Sequence, residues 1–256
     1  INYLSPEVLL FAYQQGLFPM AESRDAKQIQ WIQPKKRGIF PIGEFHISKS
    51  LRRALLKNDY SIKINSNFPK VIEKCADRNE TWINSEIYDC YCKLHQDGFA
   101  HSVEVWKDSQ LIGGVYGVAI GAAFFGESMF SEASNGSKIA LAYLHDRLLK
   151  TGFLLFDTQF LTEHLASLGA IEITQDEYLK KLETSLNKNA KFVDTNYSVD
   201  VETIAHRSPQ SSKRASSKGF SAGDEATIHP LNISLSDFSL KILRWAKASP
   251  TGLLTG

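Results

Sequence analysis

The chain has 256 residues, 43% hydrophobic and 22% charged, enough apolar material for a buried core in one or two domains, which excludes global disorder. Its 29 lysines and arginines against 28 acids leave a formal charge of +1, so an evenly basic coat is excluded and any nucleic-acid contact must be a local patch. The three cysteines, Cys75, Cys90 and Cys92, have no framework spacing, and there is neither a long apolar run nor a signal-like opening segment, so the expectation is a reduced, cytoplasmic chain.

The first element reads as a helix: Ser5 as cap, Pro6 and Glu7 in the first turn, an apolar run, then Gly16 as a stop. From residue 17 to about 45, Pro19, Pro34 and Pro41 break the chain into short strands and turns, with the basic cluster Lys35, Lys36 and Arg37 among them. A second helix starts near residue 46, with Ser48 or Ser50 as cap and Arg52, Arg53 and Lys57 following. Residues 1–58 therefore read as a small N-terminal α/β module with a positive face.

The middle of the chain changes character. FPKVIEKCADR and SEIYDCYCKLHQDG carry helical spacing, the second closed by Gly98. HSVEVW at 101–106, LIGGVYGVAI at 111–120 and AAFFGESMF at 122–130 alternate with period two across polar or glycine turns and predict an antiparallel meander. An amphipathic helix capped by Ser137 follows and ends at Gly152. After it come the buried strand FLLFDTQF, a short helix TEHLASLG, the strand AIEIT, and a last helix opened by a Thr174-x-x-Glu177 capping box. This order is an α+β plan on one mixed sheet, spanning 59–190. Residues 191–256 are rich in Ser, Lys and Gly and read as a low-complexity, disordered tail, closed by a short amphipathic stretch, SDFSLKILRWAK, as a docking helix or a basic surface binder.

Three places carry residues that are unusual for their context. Glu127 interrupts an apolar strand beside Gly126, as a solvent-facing edge acid or as a cleft carboxylate that needs partners. Asp157 and Gln159 stand at the carboxyl end of a buried strand, where α/β proteins place ligands, and their spacing puts them on one side of an extended chain; a cap for the following helix is the plainer alternative. Trp82 lies in a polar stretch without an apolar face of its own, as a core residue or as a stacking platform for an unpaired base. No phosphate loop, zinc motif or nucleophile motif appears. Spacing alone reaches an α+β protein with a crevice near Glu127 and Asp157.

The strings AYQQGLFPM, TWI, HSVEVW, GGVYGVAIG, FFGESMFS, SKIAL, DTQ and HLASLGA occur in this order from about residue 3 to 186. In register they closely resemble the leucyl/phenylalanyl-tRNA–protein transferases of the bacterial N-degron pathway. The resemblance implies a C-terminal domain of the GCN5-related acyltransferase fold, with no metal or nucleotide cofactor and a monomeric state. It implies transfer of Leu or Phe, and Met less well, from charged tRNA to the N-terminal amine of proteins that begin with Arg or Lys. By matched position, Asp157 and Gln159 would orient and deprotonate the attacking amine, and Glu127 would sit beside the acceptor end. Trp82 would pack around the 3′-terminal adenosine, Val115, Phe124, Leu141 and Phe156 would line the apolar pocket for the transferred side chain, and Trp31 would belong to the same 3′-end and side-chain site. Lys35, Lys36, Arg37, Arg52 and Arg53 are the candidates for tRNA phosphates.

The chain departs from the family pattern in WIQP for the usual WWSP, Val115 for methionine, Phe156 for a smaller aliphatic and Thr162 for a common Asn. These leave open a different donor such as Arg, or acidic acceptors, on the same chemistry. A non-catalytic tRNA or N-terminal-residue binding module is the second alternative. A coenzyme A-dependent acetyltransferase is disfavoured, because SEASNGSK lacks the glycine-rich pyrophosphate loop.

Overall fold

The period-two pattern folds as three long antiparallel strands, β5 (Ala100–Lys107), β6 (Gln110–Ile120) and β7 (Ala123–Ser131). The turn between the first two places Asp108 and Ser109 at φ 47° and 63°, the paired left-handed conformation that matches the twist of a two-residue hairpin. The computed structural model describes residues 4–207 and 226–229.

These strands are the centre of a seven-stranded sheet. On one side lies β4 (Ser61–Ile64), antiparallel to β5. On the other, β7 runs parallel to β8 (Leu155–Gln159), reached through helix α5 (Gly136–Lys150). Beyond β8 come β3 (Lys36–Phe40) and β9 (Ile171–Thr174), each antiparallel to its neighbour. The module of residues 1–58 thus contributes β3 to the large sheet, and the sheet crosses the boundary at residue 58. The other short strands, β1 (Phe18–Ala21), β2 (Ile29–Pro34) and β10 (Ala226–His229), form a separate three-stranded sheet.

Strand alternation feeds two cores. Tyr116, Val118 and Phe125 face helices α1 (Pro6–Gln14), α3 (Phe68–Ala76), α4 (Ser85–Gln96) and α7 (Gln175–Leu186). Val103, Val105, Val115 and Phe124 face α2 (Lys49–Lys57) and α5. The mixed-sheet α+β plan read from the sequence is the one observed.

Capping follows the sequence with one exception. Ser5, Ser48 and Thr174 accept the expected backbone N–H groups, and Thr174 with Glu177 closes the capping box. Ser137 is not the cap of α5: Asn135 holds that place at φ 66°, and it makes no side-chain cap bond. The first turn of α5 lies directly on β6, where a Cβ on Gly113 would come within 2.4 Å of the Gly136 carbonyl carbon. That close approach leaves no room for a side chain at Gly113.

The stretch read as disordered from residue 191 differs in its first part. Phe192 is 3% exposed, and its ring stacks on Phe124 and His101. Arg147 donates to the Phe192 carbonyl, and Tyr197 and Arg207 both donate to Asp146. Helix α8 (Val201–His206) buries Ile204 against the second core, so the chain runs back over α5 as a strap. A handful of anchoring side chains does this without any helical or strand periodicity. Beyond residue 207 only the backbone pairing of β10 with β2 falls within the described residues, and the SDFSLKILRWAK stretch lies outside them.

Candidate active site

The cleft arises where two parallel strands part. The pairing of β7 with β8 runs from Ala123–Leu155 to Phe125–Asp157 and stops there. Past that point Glu127 on β7 and Gln159 on β8 flank an opening, at the carboxyl ends of the strands. Gln159 ends β8 in the left-handed region, φ 58°, a conformation that a non-glycine residue holds only when its surroundings impose it. What imposes it is Asp157: Oδ1 accepts the Gln159 backbone N–H at 2.9 Å.

Asp157 itself is fully buried and faces the interior. Arg37 grips it with two bonds, Nε to Oδ1 at 2.8 Å and Nη2 to Oδ2 at 2.6 Å, and the Tyr178 hydroxyl donates to Oδ2 at 2.8 Å. The guanidinium also donates to the Gly16 carbonyl and stands over the rings of Phe18 and Tyr178. With four donors the carboxylate has no free face toward the cleft. The even spacing of Asp157 and Gln159 therefore does not put both in one crevice, because Gln159 leaves the extended conformation.

Glu127 is the carboxylate that faces the opening. Tyr13 and Tyr91 donate to its two oxygens at 2.6 and 2.8 Å, and Gln159 Nε2 donates to Oε1 at 3.1 Å. Burial pushes its carboxyl up to about 7, the Asp157 charge adding to the rise while the two tyrosine hydroxyls oppose it. Such a group is poised to receive a cation or an amine proton near neutral pH. Neither tyrosine stands out in the sequence, since both lie in runs that read as ordinary helix.

The cleft has a volume of about 270 Å3 and is lined by Trp82, Phe18, Met129, Thr162 and Leu165 together with Glu127 and Gln159. Trp82 is half-buried, packed against the first core on one side and lining the cleft. Met129 and Leu165 were not among the sequence candidates. Met129 was accessible by period, two residues beyond Glu127 on the same strand.

The remaining candidates lie elsewhere. Val115, Phe124, Leu141 and Phe156 lie within the second core: each is 3% exposed or less, and none lines the cleft. Trp31 is packed in the first core, at 7% exposure. Arg37 is not available to phosphate, since it is 1% exposed and committed to Asp157; the compact cluster KKR hid one inward-pointing residue, as expected of a strand that alternates faces. Lys35, Lys36 and Arg53 are exposed, Lys36 near Glu172 at 3.3 Å, and Arg52 donates to the Ala205 carbonyl on α8. Among the described residues no three His, Cys, Asp or Glu side chains gather to hold a metal, and no helix is long and apolar enough to cross a membrane.

Chemically, the cleft offers a flat ring, an apolar wall, an amide and an ionisable carboxylate, with no activated nucleophile of its own. Two family models match the chain: leucyl/phenylalanyl-tRNA protein transferase over residues 39–183 and the N-terminal domain of the same family over residues 2–35. Among curated relatives, a leucyl/phenylalanyl-tRNA–protein transferase of Cereibacter sphaeroides is 54% identical over 209 residues, covering 82% of this chain and 98% of that one. Those of a Ruegeria species and of Ruegeria pomeroyi are 56% and 57% identical, each over 74% of this chain and 90% of theirs. Among solved structures, L-PGS from Bacillus licheniformis is 12% identical with a TM-score of 0.35, covering 65% of this chain and 56% of that one.

Proposed function

The chain belongs to the leucyl/phenylalanyl-tRNA protein transferase family and is an aminoacyltransferase, and from that premise we propose that it moves Leu or Phe, and Met less well, from charged tRNA to the N-terminal amine of proteins beginning with Arg or Lys. The transfer marks those proteins for N-degron degradation, and the enzyme acts as a cytoplasmic monomer whose residues 59–190, together with β3 from the preceding module, form a GCN5-related acyltransferase-like catalytic domain.

The observation that carries this reading is the meeting of Glu127 and Gln159 at 3.1 Å on one side of a cleft that also presents Trp82. The 3′-terminal adenosine stacks on Trp82, and the cationic acceptor residue is drawn to the Glu127 carboxylate. An aminoacyl ester is already activated, so the incoming amine needs placement and loss of a proton rather than a covalent enzyme intermediate. The amide bond forms as the ester C–O bond breaks, and the amine proton ends on the released 3′-hydroxyl. Asp157, enclosed by Arg37 and Tyr178, acts as a positioning residue that holds the Gln159 backbone.

The test is transfer of labelled Leu, Phe, Met or Arg from charged tRNA to peptides beginning with Arg, Lys, Asp or Glu. Leu or Phe appearing in Arg and Lys peptides is the expected result. Label only from Arg-tRNA or only in acidic peptides would replace the specificity, and no transfer with tRNA still bound would replace the activity by binding alone.

A further inference from the structure

A second cleft, of about 410 Å3, adjoins the first and shares Arg78 and Met129 with it, so one opening continues into the other. Its walls carry Lys74 near the end of α3, Asp77 and Arg78 just past it, Glu132 just past β7, Ser137 at the start of α5 and His164 on α6 (Glu163–Ser167). The reaction at Glu127 makes no use of these groups.

Their chemistry suits a sugar-phosphate with a base attached. Lys74 is bound to the Glu132 carboxylate and Arg78 to the Met129 carbonyl, partners that an incoming phosphate can displace or share. The amino end of α5 meets this cleft through Ser137, whose backbone N–H already donates to the Ser131 hydroxyl, and adds its positive dipole end. His164, whose imidazole is pushed down by burial and by Lys138 nearby, offers a flat ring at the same wall. Glu132, once Lys74 turns to a phosphate, is an acceptor for the exocyclic amine of cytosine and not for the carbonyl of uracil.

We propose that this second cleft binds the nucleotide preceding the terminal adenosine of the donor RNA, with Lys74 and Arg78 on the linking phosphate and His164 against the base. The proposal rests on the aminoacyl-tRNA reading above and extends the donor track by one nucleotide from Trp82.

Three synthetic donors test it: the leucyl esters of adenosine, of cytidylyl-adenosine and of uridylyl-adenosine, each with an Arg-initiated peptide as acceptor. The adenosine ester does not reach the second cleft and is the internal reference for every variant. The native enzyme should favour the cytidylyl ester over the adenosine ester by on the order of tenfold in kcat/KM, the size of one charge-assisted contact. Lys74→Ala and His164→Ala should each bring that ratio toward one, and Glu132→Gln should narrow the gap between cytidylyl and uridylyl donors. An unchanged ratio in Lys74→Ala and His164→Ala overturns the proposal. So does a Lys74→Ala effect confined to the KM of the peptide, which would assign the cleft to the acceptor chain. Absence of transfer from every donor, charged tRNA included, would instead remove the activity reading itself, and this proposal with it.

Discussion

Arg37 and Asp157, 120 residues apart in the chain, are joined by two hydrogen bonds of 2.8 and 2.6 Å inside the protein. Removing one member leaves the other as an uncompensated buried charge, which costs about 3–5 kcal/mol. Arg37→Met and Asp157→Leu should therefore each lower stability by that order in urea unfolding. The double variant should lose less than the two single losses combined, because neither charge is then orphaned. Additive losses would mean that the pair is not coupled. Transfer should fall in Asp157→Leu and in the double variant, since neither keeps the carboxylate that anchors the Gln159 backbone.

Glu127 should make acceptor choice depend on pH. Its carboxyl, pushed up to about 7 chiefly by burial, is largely neutral at pH 6 and largely ionised at pH 8. The preference for an Arg-initiated over an Ala-initiated peptide should rise across that interval. Taking the ratio of two acceptors cancels titration of the attacking amine, which falls in the same range. Glu127→Gln should flatten the ratio. The same shift has a stability sign: the folded state holds this proton more tightly than the unfolded chain, so stability is lost as pH rises from about 4.5 to about 7. Melting curves should accordingly show Glu127→Gln gaining on the native protein with increasing pH, and parallel curves would refute the burial argument.

Trp82 and Trp31 should separate by phenotype. Stacking of one base on an aromatic ring is worth about 1–3 kcal/mol, so Trp82→Ala should raise the KM for charged tRNA on the order of tenfold or more, with Trp82→Phe intermediate. Trp31, buried in the first core, should register as a lower Tm with donor KM nearly native in the Trp31→Phe protein. Steady-state titration of charged tRNA against both variants decides the matter, and a donor KM defect in Trp31→Phe would return that residue to the nucleotide site.

The elements were largely legible because their signals are local. Caps at Ser5 and Thr174, the glycine stops and the period-two meander all act within a few residues. The site was legible only in part. Glu127 stood out as an acid in an apolar strand, and the cleft indeed opens there. The orientation of Asp157 could not be read, since it depends on Arg37, brought beside it by insertion of β3 into the sheet. Tyr13 and Tyr91 were invisible for the same reason: their hydroxyls meet Glu127 only through packing of α1 and α4. The strap escaped because Phe192 and Arg207 anchor it singly, with no repeating pattern.

Phe192 should tie strap docking to acid stability. Its ring stacks on His101, whose imidazole is pushed down to about 3 by burial. A histidine kept neutral in the folded state contributes stability above its ordinary pKa of about 6.5, and that contribution is lost as pH falls below it. Deleting the ring in Phe192→Ala should cost about 3–5 kcal/mol at neutral pH. It should also expose His101, so the drop in Tm between pH 7.5 and 5.5 should shrink relative to the native protein. His145, pushed down to about 4, keeps part of the slope in both. An undiminished slope in the variant would mean that Phe192 does not shield His101.

The salt dependence of tRNA binding should assign the basic residues one by one. Each phosphate neutralised contributes about 0.7–0.9 to the slope of log affinity against log salt. Lys35 and Lys36 are exposed at the rim of β3, and the surface ion pair of Lys36 with Glu172 at 3.3 Å is too weak a competitor to hold it from a phosphate. Lys35→Ala with Lys36→Ala should therefore flatten the slope by about one to two. Arg53→Ala should flatten it by about one if α2 meets the same RNA. Arg37→Lys is the control that distinguishes the two faces of the KKR cluster. Its side chain is buried against Asp157, so the substitution should weaken folding and leave the slope of the folded fraction at the native value. A reduced slope in that variant would show that the guanidinium reaches the RNA after all, and that the Arg37–Asp157 pair opens when tRNA binds.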